Sequence, residues 1–265
     1  MDDKHRESCN MTYGLLNNKY SAINKPSLAY SICIYGQISL YILCKMLYES
    51  GCEIINVNTD GVAFIPDKDN KYLVVREKWE KQFSINLGED TFDKWIQSDV
   101  NNYVAVTDKG WIVTKGGDTN KYLDYELGGV NYYFNNGSTR IIHKAVVDKL
   151  LNNKDIMETL YENLDKPILY QYILQAGGMY QGTFDREVRK YQKINRAFAI
   201  KENVTNHKVV ELVKKRKDDG LVKFADAPSH MVVWNRDVSE FEDFSEVVDL
   251  DWYYRLAMKV YERWK

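Results

Sequence analysis

From Ser27 to Ser50 an apolar residue returns at every fourth position, at Ile34, Ile38, Ile42 and Met46, with Leu43 and Leu47 beside them. That spacing predicts a helix with an apolar face, and Gly51 follows as a stop signal. Pro26 stands just before the stretch, so the start is placed only to within a few residues. The period then changes. Ile54, Ile55 and Val57 on one side, and Val62, Phe64 and Ile65 on the other, flank Asn58-Thr59-Asp60-Gly61. Asp-Gly supplies the positive φ angles of a tight turn, so two short strands around a hairpin are expected. Residues 69–83 return to helical spacing, with Tyr72, Val75, Trp79 and Phe83. Two further strands, Asn102 to Val106 and Trp111 to Thr114, are joined by Thr107-Asp108-Lys109-Gly110. A helix, a hairpin, a helix and another hairpin in that order make this part α+β with antiparallel pairing.

After Lys115-Gly116-Gly117 the texture shifts. Asn131 to Gly137 reads as a polar, aromatic loop. Thr139 to Leu151 and Met157 to Gln175 have a helical pattern. Arg186, Arg189, Lys190, Lys193 and Arg196 form a basic stripe, and Lys214-Lys215-Arg216-Lys217 a second basic cluster. Such a stripe is either a solvated face or a surface that neutralises phosphates. The tail from Asp251 to Trp264 predicts an amphipathic helix, with Trp252, Leu256, Val260 and Trp264 on one face. No repeat and no low-complexity linker divides the chain, so the boundary near residue 117 is soft.

Composition narrows the class. The 265 residues are 45% hydrophobic and 28% charged, which is a folding composition. The net charge of -2 gives no global sign of a polyanionic partner. No unbroken run of about eighteen apolar residues occurs, so no membrane span is expected. The charged start, Met1 to Glu7, lacks the apolar core of a secretory signal. Cys9, Cys33, Cys44 and Cys52 form no closely spaced pair, and the four histidines are scattered. The thiols therefore read as reduced, as in an intracellular protein, and not as a zinc site.

Two segments bear on chemistry. A carboxylate at a hairpin tip, as at Asp60, is held rigidly enough to ligate a divalent ion, but a two-metal centre needs a further carboxylate from elsewhere. In Arg6-x-x-x-Asn10-x-x-Tyr13-Gly14 a helix would put Arg6, Asn10 and Tyr13 on one face. A cation, an amide and a ring so placed suit a triphosphate, a sugar and a base.

The order of these segments, with Lys19-Tyr20-Ser21 and Gly36-Gln37 between them, resembles the C-terminal part of family B DNA polymerases of the phage and mobile-element type. There a fingers helix carries Lys-x-x-x-Asn-x-x-Tyr/Phe-Gly (motif B), and a palm hairpin carries Asp-Thr-Asp or Asn-Thr-Asp-Gly (motif C). Asp99 to Ala105 is similar to the family's primer-holding segment, and Ser138 to Ile142 to the start of its thumb. Gln192 to Phe198 and Ala225 to His230 are similar to late thumb segments.

The resemblance implies a fold and an organisation: residues 1–20 as the end of the fingers, 21–117 as the second half of the palm, and 118–265 as a mainly helical thumb. It implies Asp60 as catalytic residue and Mg2+ ligand, with Asn58 at the position of a more dispensable acid. Arg6, Asn10, Tyr13 and Gly14 fall at nucleotide-binding positions, Arg6 standing where the family has lysine. Asn101, Tyr103 and Lys115, with Arg186, Arg189, Lys190, Lys193 and Arg196, fall to primer–template DNA. Asn101 replaces the lysine of the primer motif, and Lys115 is a substitute cation. The implied reaction joins a primer 3′-hydroxyl to the α-phosphate of a dNTP and releases pyrophosphate. The family's other metal-binding Asp lies in Asp-x-x-Ser-Leu-Tyr-Pro (motif A), a segment this sequence does not contain. A separate N-terminal polymerase half is therefore the expected partner, in the cytoplasm of a host cell. The alternatives are a non-catalytic DNA-binding module and an inert truncated fragment.

Overall fold

The stretch of fourfold apolar spacing folds as a single helix, α2 (Pro26–Glu49), in a computed structural model that describes residues 11–120, 122 and 138–265. Pro26 occupies its first turn, where the missing N–H costs nothing. Gly51, at φ +99°, takes the chain out of the helix. Residues 11–17 before it form a shorter helix, α1.

Contacts divide the chain into two compact units, Met1–Asp90 and Thr91–Lys265. In the first, α2 is followed by β1 (Glu53–Val57) and β2 (Val62–Ile65), paired antiparallel with Val57 opposite Val62. Helix α3 (Tyr72–Phe83) completes it, starting three residues later than its spacing predicts. Leu43 and Leu47 of α2 are buried with Cys52, Val75 and Trp79. Each large apolar side chain so buried contributes about 1.5–3 kcal/mol. Trp79 also donates its indole N–H to the Ser39 carbonyl at 2.8 Å, tying α3 to the middle of α2. In the first half of α2 Ala29 is buried, but Tyr30, Ile34, Tyr35 and Ile38 are all exposed.

One expectation is corrected here. An eighteen-residue window of α2 has mean hydropathy 1.4, so by length and composition this helix is long and apolar enough to cross a membrane. Interspersed Ser, Gly and Gln break the apolar run without lowering its average enough.

The second unit begins with a three-stranded meander, β3 (Phe92–Asp99), β4 (Asn102–Thr107) and β5 (Ile112–Lys115). Strand β3 was not expected. Its pairing with β4 slips between Phe92 and Lys94 and between Gln97 and Asp99, and those irregularities erase the alternation that marks a strand. Helix α4 (Arg140–Asn152) matches its prediction, and α5 (Ile156–Glu162) follows. The helix expected over 157–175 stops at Glu162. Pro167 opens a short 3-10 turn, and β6 (Tyr172–Gln175) pairs antiparallel with β8 (Ile194–Ala199).

The remaining strands are β7 (Tyr180–Asp185), β9 (Val209–Val210), β10 (Leu212–Arg216), β11 (Leu221–Lys223) and β12 (Met231–Val233). They form sheets ordered β6-β8-β12-β9 and β11-β10-β7. The thumb region expected to be mainly helical thus carries seven strands as well as helices among its described residues. α6 (Phe244–Val247) and α7 (Leu250–Tyr261) end the chain, with a 3-10 turn at Glu262–Trp264. On α7 the fully buried residues are Tyr253 and Ala257, with Trp252, Leu256, Val260 and Trp264 half-buried around them.

The main core packs α4, α5 and α7 against β8, through Ile141, Leu160, Tyr170, Phe198 and Tyr253 among others. Tyr253 donates its hydroxyl to the Tyr170 carbonyl at 2.6 Å and accepts the Ala199 N–H at 3.2 Å. The two rings meet edge to face at 5.0 Å.

Candidate functional site

Asn58, Thr59, Asp60 and Gly61 make the tip of the β1–β2 hairpin. The Asn58 N–H donates to the Gly61 carbonyl at 3.1 Å, closing the turn. The Asn58 side-chain oxygen accepts the Asp60 backbone N–H at 3.1 Å. This is the local turn chemistry for which Asn and Asp are selected. It leaves the Asp60 carboxylate exposed at the tip. Among the described residues no group of three or more His, Cys, Asp or Glu could hold a metal ion. Asp60 alone is one ligand where a hard cation needs several oxygens, so the described residues do not by themselves fit Mg2+.

Of the motif B positions, Arg6 and Asn10 lie outside the described residues. Tyr13 and Gly14 sit on α1. The Tyr13 hydroxyl lies 3.2 Å from Cys33 Sγ of α2, and that hydrogen bond pushes the phenol pKa up. Gly14 has open space where a Cβ would stand.

In the second unit Tyr103 and Lys115 are direct cross-strand partners on β4 and β5. Asn101 stands in the turn before β4, where its backbone N–H donates to Asp99 Oδ1 at 2.8 Å. That bond, with those from Asn102, holds the Asp99 carboxyl below its usual range. Gly116 has φ +99°, and a Cβ there would fall 1.9 Å from Asn102 Oδ1 and 2.6 Å from the Asn101 carbonyl. Only glycine lets the end of β5 pass this turn. Sequence reasoning missed Trp95. Its ring stacks on Tyr103 at 4.2 Å and 22°, and its indole N–H donates to Gln97. The signal was there, an aromatic one residue from a lysine, but it lay in the strand whose alternation is broken.

The basic stripe does not form one surface, because it runs through a turn and a strand and not along a helix. Arg196, on β8, is 8% exposed and donates to the Arg236 carbonyl at 2.9 Å. Arg186 forks onto Glu211 at 2.7 and 3.1 Å. That fork, with Lys223 at 2.9 Å, holds the Glu211 carboxyl down to about 2. Arg189 pairs with Glu187 and lies 3.8 Å from Asp185. Lys190 and Lys193 remain exposed, with no ion pair among the described residues.

Residues of the segments expected in the thumb make anchoring hydrogen bonds. Ser138 Oγ accepts the Ile173 N–H at 3.0 Å, and the Ala225 carbonyl accepts the Tyr172 hydroxyl at 2.6 Å. Burial, and then the charge of Asp226, push the Tyr172 phenol up to about 12.

No family model and no curated protein matches the chain. Among solved structures it is similar to the family B DNA polymerase from the hyperthermophilic archaeon Pyrobaculum calidifontis, with a TM-score of 0.54 and 12% sequence identity. The match covers 96% of this chain and 32% of that polymerase, so the chain spans about a third of its length. By fold, therefore, this α+β chain resembles a portion of a family B DNA polymerase.

Proposed function

We propose that this chain is the C-terminal part of a DNA-directed DNA polymerase, working on primer–template DNA and dNTPs in a host cytoplasm. In this reading residues 1–20 end the fingers, 21–117 belong to the palm and 118–265 to the thumb. The observation that carries it is the exposed Asp60 carboxylate, set by Asn58 at a hairpin tip in a chain of polymerase-like fold. Asp60 supplies one metal ligand, and a polypeptide carrying motif A supplies the rest of the Mg2+ site. Tyr13, with Arg6 and Asn10, faces the nucleotide. Tyr103 and Lys115, side by side on β4 and β5, hold the primer strand. The test combines this chain with the polypeptide encoded upstream and measures primer extension. Extension is expected from the mixture and not from either part. Equal extension by Asp60→Ala would remove Asp60 from its role.

A second reading, a DNA-binding module without catalysis, is favoured by the exposed Lys190 and Lys193, which form no ion pair among the described residues. It predicts salt-sensitive DNA binding by this chain alone, which weakens when both lysines are replaced.

A further inference from the structure

Helix α2 buries one side and leaves another bare over most of its length. Leu43 and Leu47 pack with Val75 and Trp79 of α3. Ile34, Ile38, Tyr41 and Tyr48 point away from them and are exposed, from 48% at Ile38 to 72% at Tyr48. With Lys45 these residues follow one another at steps of four, three, four and three: Ile34, Ile38, Tyr41, Lys45 and Tyr48. Steps that average about 3.5 keep a line of side chains facing one partner helix, which is the seam of a coiled coil. Tyr30 and Tyr35, also exposed, flank the line. The four tyrosines and two isoleucines together offer roughly 700 Å² of side chain to a partner. Exposed patches of that size mark interaction sites. The tyrosine hydroxyls keep the stripe half polar, which suits a protein partner more than hydrocarbon.

We infer that this stripe is the interface between two copies of the chain, packed antiparallel through α2 about a twofold axis. Lys45 sets the direction. In a parallel pair in register it would lie against Lys45 of the second copy, and like charges repel there. Antiparallel, about an axis between Ser39 and Leu40, Lys45 meets Ile34 of the second copy, Tyr41 meets Ile38, and Tyr48 meets Ser31. Each layer sets a longer side chain against a shorter one, and twofold symmetry makes each layer twice. The Lys45 stem lies along Ile34 of the second copy while its ammonium stays in water, beside Glu49 at 3.8 Å. A pair that covers most of both stripes buries about 1,200 Å² in total, the lower end of what a stable specific interface needs. The dimer goes beyond the polymerase reading, because it needs neither Asp60, nor DNA, nor a completing polypeptide.

The test is sedimentation equilibrium of the full chain, without DNA or nucleotide, at about 1–100 μM, where an interface of this size assembles. A mass that rises from one chain to two is expected. Replacing both Ile38 and Tyr41 by Lys, at exposed positions, should raise the dissociation constant about 100-fold or more. Leu73→Ser, exposed on α3, should leave it unchanged. Direction is read at Ile34. Antiparallel, Ile34→Glu faces Lys45 and should dimerise about tenfold more tightly than Ile34→Lys at low salt. A parallel pair weakens equally in both, and that equality overturns the antiparallel pairing. A single chain across the whole range overturns the inference, whether the stripe then takes up phosphatidylcholine vesicles in flotation or the polypeptide encoded upstream. So does a dimer that persists in the double variant when that variant melts like wild type. If the double variant does not fold, Tyr48→Ser is read alone and should raise the constant about tenfold, and no change overturns the proposal. Failure of dimerisation leaves the Asp60 reading standing, and failure of primer extension leaves the dimer standing.

Discussion

The Asn58 side chain accepts the backbone N–H of Asp60 at 3.1 Å, so one residue of the hairpin tip sets the direction of the other. Any residue at 58 that keeps an acceptor two atoms from the backbone keeps this turn. Asn58→Asp is therefore expected to preserve primer extension by the completed enzyme. Asn58→Ala should lower it about tenfold, equivalent to ~1.4 kcal/mol in the transition state. The thermal stability of the Ala variant should fall by no more than about 1 kcal/mol, because the lost bond is solvent-exposed. Equal rates for the two variants would show that Asp60 does not depend on Asn58.

Gly116 and Gly117 are adjacent and should respond very differently to alanine. At Gly116 a Cβ meets Asn102 and the Asn101 carbonyl, and φ is +99°. At Gly117 there is nothing within 4 Å. Gly116→Ala is expected to cost about 2 kcal/mol or more, and Gly117→Ala to stay within about 0.5 kcal/mol of wild type. Urea denaturation of the two variants checks this directly.

Tyr253 bridges Tyr170 and Ala199 through one buried hydroxyl. Removing it in Tyr253→Phe strips a partner from a buried carbonyl and a buried N–H. The expected loss is about 1–3 kcal/mol. For a chain of this size that lowers Tm by roughly 2–4 °C per kcal/mol. A Tm within one degree of wild type, about the resolution of a melting curve, would count against the bridge.

Acid should act on the second unit through Glu211. Its pKa is lowered from 4.5 to about 2 by the Arg186 fork and then by Lys223. A carboxyl with a depressed folded pKa contributes stability that is present above its unfolded pKa and lost as pH falls through the folded one. The window therefore runs from about pH 4.5 down to about pH 2. The contribution is on the order of 1–2 kcal/mol once solvent screening at the half-exposed Arg186 is counted. Glu211→Gln should be less stable than wild type at neutral pH, with the gap narrowing as pH drops through that window. A gap independent of pH would assign the effect to packing.

What the sequence made legible was local. Helix α2 and the β1–β2 hairpin are written in consecutive residues, by fourfold apolar spacing and then by Asn-Thr-Asp-Gly, and both appear within a residue or so of where the spacing puts them. What it concealed depended on partners far away in the chain. Tyr172 to Gln175 became a strand because Ile194 to Ala197 pairs with it, and no helical preference of its own could outweigh that ladder. The basic stripe is divided for the same reason. Arg186 is neutralised by Glu211, which stands 25 positions away. In the candidate site Asp60 was legible because its turn is self-contained. The stack of Trp95 on Tyr103 was not, since it joins two strands with an irregular register.

The indole of Trp79 fastens α2 at Ser39, and this limits what the helix can do with its apolar length. Beyond that point α2 is committed to a neighbour, α3, that carries Arg76, Glu77, Lys78, Glu80 and Lys81. Only the stretch before Ser39, residues 26–38, is loose of that company, about 20 Å at 1.5 Å per residue. A bilayer interior is about 30 Å thick, so lipid could take in the whole helix only by drawing the charges of α3 in after it. The same fastening makes α2 a fixed post, whose bare end can be gripped by another surface without slackening the hairpin that holds Asp60.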